Sequence, residues 1–221
     1  MKKKITLFLS ILFLAASLNA SQSKEEVIDK MIEVSGGEEK LSQLKVYEQF
    51  WHIQTKNNEM NASDYRMVIT PSYLRSKLTY PDRVEIRILD KNNGTVMVNG
   101  AIFKAVDSAL DLIKLKQMRI YTPLQLKDTI DNVELTSDEE NNILSLKLNG
   151  IEVNYFVSKK NHLIEKTTGN INIDSKKVEY KTLYEDYRNF NGVMLPYREV
   201  KFEDGINTET YRLQETRFGI L

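Results

Sequence analysis

The sequence predicts a mainly β chain with few helices: about eleven antiparallel strands, enough to curl strongly, entered through one helix and interrupted by a second. Three observations carry this. The apolar period falls from about 3.6 to about 2 at Val46 and stays there for most of the remaining chain. A capping-box spacing, Ser23-Lys24-Glu25-Glu26, stands just upstream. Four prolines and nine glycines sit singly at turns, apart from the pair Gly36-Gly37, so no linker divides the chain.

Lys2, Lys3 and Lys4 precede an apolar run from Ile5 to Leu18, and Leu18-Asn19-Ala20 places small or neutral residues at a cleavage point. Residues 1–20 therefore read as a secretory signal peptide. The run is too short to span roughly 30 Å of hydrocarbon, and the chain turns polar at Ser21. A lipid-anchored protein needs a cysteine at the cut, and the chain has none. The expectation is a periplasmic protein, released and not lipid-anchored, with residues 21–221 as a single domain. Without disulfides, its hydrophobic core holds the fold unaided.

After Ser23, residues Val27, Ile28, Met31 and Ile32 recur at helical spacing, and Gly36-Gly37 supplies the positive φ that ends the helix. Glu38 to Leu44 reads as another short turn of helix. Tyr47, Gln49, Trp51 and Ile53 then share one face of a strand, Lys56-Asn57-Asn58 turns, and a second strand runs through Tyr65, Met67 and Ile69. Pro71-Ser72 and Pro81-Asp82 punctuate the next two strands. Leu74, Leu78 and Tyr80 line one face, and Val84, Ile86 and Ile88 alternate with Glu85 and Arg87 as in a sheet wet on one side. Lys91-Asn92-Asn93-Gly94 turns into Val96 and Val98.

Between Asp107 and Gln117 the β pattern pauses. Asp107 can cap a helix whose apolar residues Leu110, Leu112, Ile113 and Leu115 spread over more than one face, as in a helix covered on two sides or lying over a greasy opening. After Thr122-Pro123 the strands resume, through Leu144/Leu146/Leu148, Ile151/Val153/Tyr155/Val157 and a long run past Tyr184. Asn191-Gly192 and Asp204-Gly205 join the last three.

Catalytic and nucleotide-binding signatures are absent from the sequence. His52 and His162 are the only histidines. His162-Leu163-Ile164-Glu165-Lys166 resembles a zinc-binding H-x-x-E-H with its last histidine replaced, so chance explains it better than metal. No G-x-S-x-G, G-x-G-x-x-G or Walker loop occurs. Residues 137–142 lack the register of a calcium loop and read as a solvated hairpin turn. Glu59 to Ser63 meets an extended glycosylation pattern, which is common by chance. Beyond the signal peptide 28 basic residues face 31 acidic ones, so charge alone recruits no nucleic acid. The aromatic set Tyr47, Phe50, Trp51, Tyr65, Tyr73, Phe103 and Tyr155 lines a cavity or fills a core. The expectation is a non-enzymatic protein with no cofactor and no metal.

Two segments resemble the periplasmic lipoprotein-carrier (LolA-like) superfamily of outer-membrane lipoprotein sorting. Ser35-Gly36-Gly37-Glu38-Glu39-Lys40-Leu41-Ser42-Gln43-Leu44-Lys45 is similar to its opening stretch, and Tyr187 to Pro196, with Gly192 and Pro196, to its late hairpin. The resemblance implies an incomplete antiparallel β-barrel with an N-terminal helix and a helical lid, whose apolar interior accepts the acyl chains of a lipoprotein or another lipid. Burial of methylenes at roughly 0.8 kcal/mol each makes such binding plausible without a motif. It further implies membrane-bound donor and acceptor proteins, a monomeric carrier, and an inward arginine that bonds the lid, for which Arg75 and Arg87 are candidates by location. On this reading the apolar lining comprises Trp51, Leu74, Leu78, Ile86, Ile88, Val96 and Val98, with Leu112 and Ile113 in the lid. The alternative is an interaction module with the same barrel and its interior filled. An apolar cavity of about 300 Å³ or more separates the two.

Overall fold

The computed structural model describes residues 22–55 and 61–219. The signal peptide, the turn at Lys56-Asn57-Asn58 and the start of the glycosylation pattern at Glu59 and Met60 lie outside the described residues.

Helix α1 (Lys24–Val34) starts as its spacing predicts: the Ser23 hydroxyl accepts from the Glu26 amide at 3.2 Å, and the Glu26 carboxylate accepts from the Ser23 amide at 3.0 Å. Val27, Ile28, Met31 and Ile32 are buried. Helix α2 (Gly37–Leu41) and a 3-10 turn follow and lead into β1 (Val46–Thr55). Then come β2 (Asn61–Ile69), β3 (Tyr73–Thr79), β4 (Val84–Asp90), β5 (Asn93–Val98) and β6 (Ala101–Ala105). Helices α3 (Asp107–Met118) and α4 (Pro123–Asp128) precede β7 (Val133–Ser137), β8 (Asn141–Leu148), β9 (Ile151–Ser158), β10 (Ile164–Ile173), β11 (Lys176–Phe190), β12 (Val193–Glu203) and β13 (Ile206–Phe218).

All thirteen strands form one antiparallel sheet in the order β6-β5-β4-β3-β2-β1-β13-β12-β11-β10-β9-β8-β7. The two chain-terminal strands, β1 and β13, pair at its centre, and β6 and β7 form its edges, so the barrel is open. The count exceeds the expected eleven, and the edge strands β6 and β7, five residues each, are too short for an alternation to register.

The sheet curls around α3. That helix packs against β4 and β5 on one arm and β9 and β10 on the other, strands far apart in the sheet order. Two glycines let it come this close. A Cβ on Gly169 of β10 would stand 2.3 Å from Leu115 Cδ1, and one on Gly94 of β5 would stand 2.8 Å from Leu110 Cδ1. Gly94 thus serves packing inside a strand and not the turn expected of it, which Lys91 makes with a φ of 54°. Nor does Asp107 cap α3: the N-cap is Val106, and no side chain caps that end.

The hydrophobic core lies between α1, α3, α4 and the sheet. Helix α4 falls where strands were expected to resume; Thr122 and Gln125 form a capping box with Pro123 in its first turn. The two segments on which the family resemblance rests meet in space. The Met194 amide donates to the Ser35 carbonyl at 3.1 Å, and a Cβ on Gly36 would stand 2.1 Å from the Gly192 carbonyl oxygen. The first helix thus ends against the β11–β12 turn.

Candidate functional site

Strand pairing arranges the inward side chains of β1 to β6 in rows. Tyr47, Val68, Leu74, Leu89, Gly94 and Ala105 form the apolar row that packs under α3. One step along, the row is Gln49, Arg66, Ser76, Arg87, Val96 and Phe103; the next is Trp51, Asp64, Leu78, Glu85, Val98 and Ala101. Charge therefore enters the interior as soon as the strands leave the helix-covered core.

Here the concave face holds a cavity of about 430 Å³. Its apolar wall includes Leu74, Leu78, Leu112 and Ile120. Six cationic side chains and four carboxylates line it as well, so it is amphipathic and not simply greasy. Leu112, Lys116, Arg119 and Ile120 recur at helical spacing on the side of α3 and its C-terminal cap that faces the cavity.

Arg66 of β2 organises the floor. Its guanidinium donates to both oxygens of Glu199 on β12, at 3.0 and 3.1 Å, and through Nε to Asp64 at 2.7 Å. The Ser76 hydroxyl donates to the other Asp64 oxygen at 2.7 Å, and the Lys201 ammonium stands 3.4 Å from Glu199. Arg66 also lies over the Trp51 and Tyr211 rings, at 4.7 and 5.2 Å from their centres. Burial alone raises the Glu199 pKa, but the charges of Arg66 and Lys201 outweigh it and hold the carboxyl down at about 2. Burial, reinforced by the Arg66 charge, lowers Lys201 to about 8.

The C-terminal end of α3 is tied to the opposite arm by two phenols. Tyr155 of β9 donates to the Met118 carbonyl, and Tyr184 of β11 donates to the Arg119 carbonyl at 2.8 Å. Burial pushes both phenols up, so both remain donors. Behind this end of the helix lies a second pocket of about 100 Å³, with Met31, Leu41, Tyr121 and Leu163 in its wall. Arg119, Ile120, Tyr184 and Glu199 line both cavities and form the partition between them.

Of the residues expected in the lining, Leu74, Leu78 and Leu112 stand on the cavity wall. Trp51 is buried beside it, packed with Leu78, Tyr211 and Leu213. Val96 and Val98 are on the inner face, as register partners of Arg87 and Glu85, outside the cavity wall itself. Ile86 and Ile88, expected inside from their alternation with Glu85 and Arg87, lie on the other face of the strand. They pair with Lys77 and Arg75 on the outer face, because Glu85 and Arg87 take the inward positions toward a polar interior. Ile86 joins Phe50, Tyr65, Met97 and Ile102 in an outer cross-strand row.

Ile113 belongs to the packed core, 1% exposed, and not to the cavity wall, since the turn of α3 that carries it points at Gly94. Of the two candidate arginines, Arg75 faces outward with Ile88, while Arg87 faces the cavity and bonds Glu85. Six residues that the sequence does not single out for the site dominate it: Asp64, Arg66, Arg119, Tyr184, Glu199 and Lys201. Among the described residues no cluster of metal-ligating side chains occurs, and no helix is long and apolar enough to cross a membrane.

This architecture has solved counterparts. The LolA superfamily protein of Nitrosomonas europaea superposes with a TM-score of 0.58 over 91% of this chain and 96% of that one, at 11% identity. The fold is LolA-like. A candidate outer membrane lipoprotein-sorting domain from Vibrio parahaemolyticus matches the same LolA-like fold at a TM-score of 0.52 and 7% identity, over 87% of this chain and 94% of that one. No protein-family model and no curated protein matches the sequence. What is shared with the LolA-like proteins is the course of the backbone.

Proposed function

We propose that the protein is an exported, non-enzymatic carrier that takes the alkyl or acyl portion of a lipid or lipoprotein into the half-barrel and moves it through the periplasm as a monomer. The observation that carries this reading is the cavity of about 430 Å³ under α3, which lies beside the packed core. It exceeds the roughly 300 Å³ at which ligand pockets begin. The LolA-like fold of two solved proteins, one of them a candidate lipoprotein-sorting domain, supports the same reading. So do α3 and the turn after it, which put Leu112 and Ile120 on the cavity wall, and the open edge of the barrel.

The apolar wall supplies affinity, because each buried methylene contributes roughly 0.8 kcal/mol. The test is titration of the purified protein with a fluorescent fatty acyl probe. Saturable binding, displaced by an unlabelled long-chain lipid, is expected. A folded protein that takes up no probe favours the filled interaction module.

A further inference from the structure

We infer that the cavity contains an anion-binding subsite built on Arg119 and Thr182, so that its ligand is an amphiphile with a negatively charged head. The inference rests on the carrier reading and specifies its cargo. Arg119, only 8% exposed, follows the last turn of α3 and lines the cavity, yet its Nε has no hydrogen-bond partner. Thr182 of β11, 1% exposed, lines the same cavity with an unpartnered hydroxyl. An unmet donor on a buried guanidinium and an unmet buried hydroxyl are each costly in a folded protein, and an oxyanion in the cavity they share offers a partner to both.

Six cationic side chains against four carboxylates leave the cavity wall net positive. Both oxygens of Glu199 are taken by Arg66 and one also by Lys201, and Asp64 is taken by Arg66 and Ser76. Arg119 and Lys116, one helical turn apart on the cavity side, form none of the ion pairs among the described residues. Thr182 is the direct register partner of Lys201 and sits two residues from Tyr184, whose hydroxyl donates to the Arg119 carbonyl. Thr182 thus stands beside the Lys201 position on the strand that holds the end of α3, and Arg119, Thr182 and Lys201 all line the one cavity.

An anion seated there gains charge-assisted hydrogen bonds from buried donors. Leu74, Leu78, Leu112 and Ile120 on the remaining wall suit an alkyl tail. A carboxylate and a phosphate monoester share this chemistry, and so does a free anion without a tail.

The test is calorimetric titration with dodecanoate, dodecyl phosphate, dodecanol and inorganic phosphate, on the native sequence and on Arg119→Met, Arg119→Lys and Thr182→Val. The native protein should bind at least one of the two anionic amphiphiles about tenfold or more tighter than dodecanol, the ratio that a charge-assisted hydrogen bond provides. Arg119→Met should bring that ratio close to one in a protein that still folds, and Arg119→Lys should restore part of it. Thr182→Val, which keeps volume, should lower the ratio as well, and it decides the matter if Arg119→Met fails to fold.

Equal affinity for dodecanol and both anions in the native protein overturns the anionic head and leaves the carrier reading standing. No binding of any amphiphile overturns both. Inorganic phosphate binding as tightly as dodecyl phosphate also overturns both, since the ligand is then a free anion.

Discussion

The Arg66 guanidinium reaches both oxygens of Glu199 although β1 and β13 separate their strands in the sheet. Three strand spacings amount to about 14 Å along the sheet, so a direct contact requires strong curling. The pair is a clasp across the concave face. It joins the N-terminal arm of the half-barrel to the C-terminal arm under the cavity, and Asp64, Ser76 and Lys201 satisfy what the pair leaves over.

Removing one partner leaves the other charged and buried. Glu199→Gln is expected to cost about 3–5 kcal/mol of stability, the usual penalty for breaking a buried ion pair. Urea unfolding of the variant beside the native chain measures it. A loss under about 1 kcal/mol, typical of surface pairs, contradicts a structural role for the clasp.

The same pair sets the acid limb of stability. Glu199 titrates at about 2 in the folded protein against an ordinary 4.5, so its contribution is complete above 4.5 and is lost as pH falls through about 2. Thermal unfolding should show a decline across that window that Glu199→Gln flattens.

Lys201 behaves in the opposite sense. Its folded value of about 8 lies below the ordinary 10.5, so between these values the unfolded chain binds more protons and stability rises with pH. Arg66 and Asp64 of β2, Glu209 of β13 and Glu199 on its own strand face it, and its ammonium lies 3.4 Å from the centre of the Tyr211 ring. Lys201→Met should remove its share of the alkaline rise, as read from melting temperatures between pH 8 and 10.5.

Two neighbouring positions on α3 should part company. Leu112→Asp puts a charge on the cavity wall; it should preserve the fold and weaken an alkyl probe by about tenfold or more. Ile113→Asp buries a carboxylate in the core over Gly94 and should unfold the domain. Unchanged probe affinity in folded Leu112→Asp removes α3 from the binding site.

Gly36→Ala tests the junction between the first helix and the late hairpin. The new methyl meets the Gly192 carbonyl at 2.1 Å, at a φ of 120° that side chains rarely adopt. A loss of about 1–3 kcal/mol is expected from overpacking, with backbone strain in addition, and equilibrium unfolding reads it.

Most of the fold was legible because its local rules agree. The Ser23 capping box, the helical stripe from Val27 to Ile32 and the turns at Asn191-Gly192 and Asp204-Gly205 all stand where their chemistry puts them. Helix α4 carried an unread signal, a threonine and a glutamine three apart around Pro123. The site was hidden by the rule that made the strands readable. On Val84 to Ile88 the alternation puts the apolar residues inward, as in an ordinary sheet wet on one side, but the interior here is charged at that depth and the faces are exchanged.

Asp64 with Arg66, Glu85 with Arg87 and Glu199 with Lys201 place opposite charges two apart on one strand face. Asp186 with Arg188 and Glu215 with Arg217 have the same spacing near or at the surface. Only the curl of the sheet, which brings β2 against β12, separates the buried pairs from the exposed ones. Arg119 could not be read locally either, because its place at the partition between two cavities depends on the tyrosines that fix the end of α3.

The central claim is that the half-barrel carries an alkyl chain, and native mass spectrometry of the protein purified from cell envelope tests it most directly. The account predicts a population heavier than the polypeptide by the mass of a lipid, converted to the bare mass when the sample is stripped with organic solvent. A single bare mass under the gentlest ionisation, from protein that also fails to take up added lipid, contradicts it.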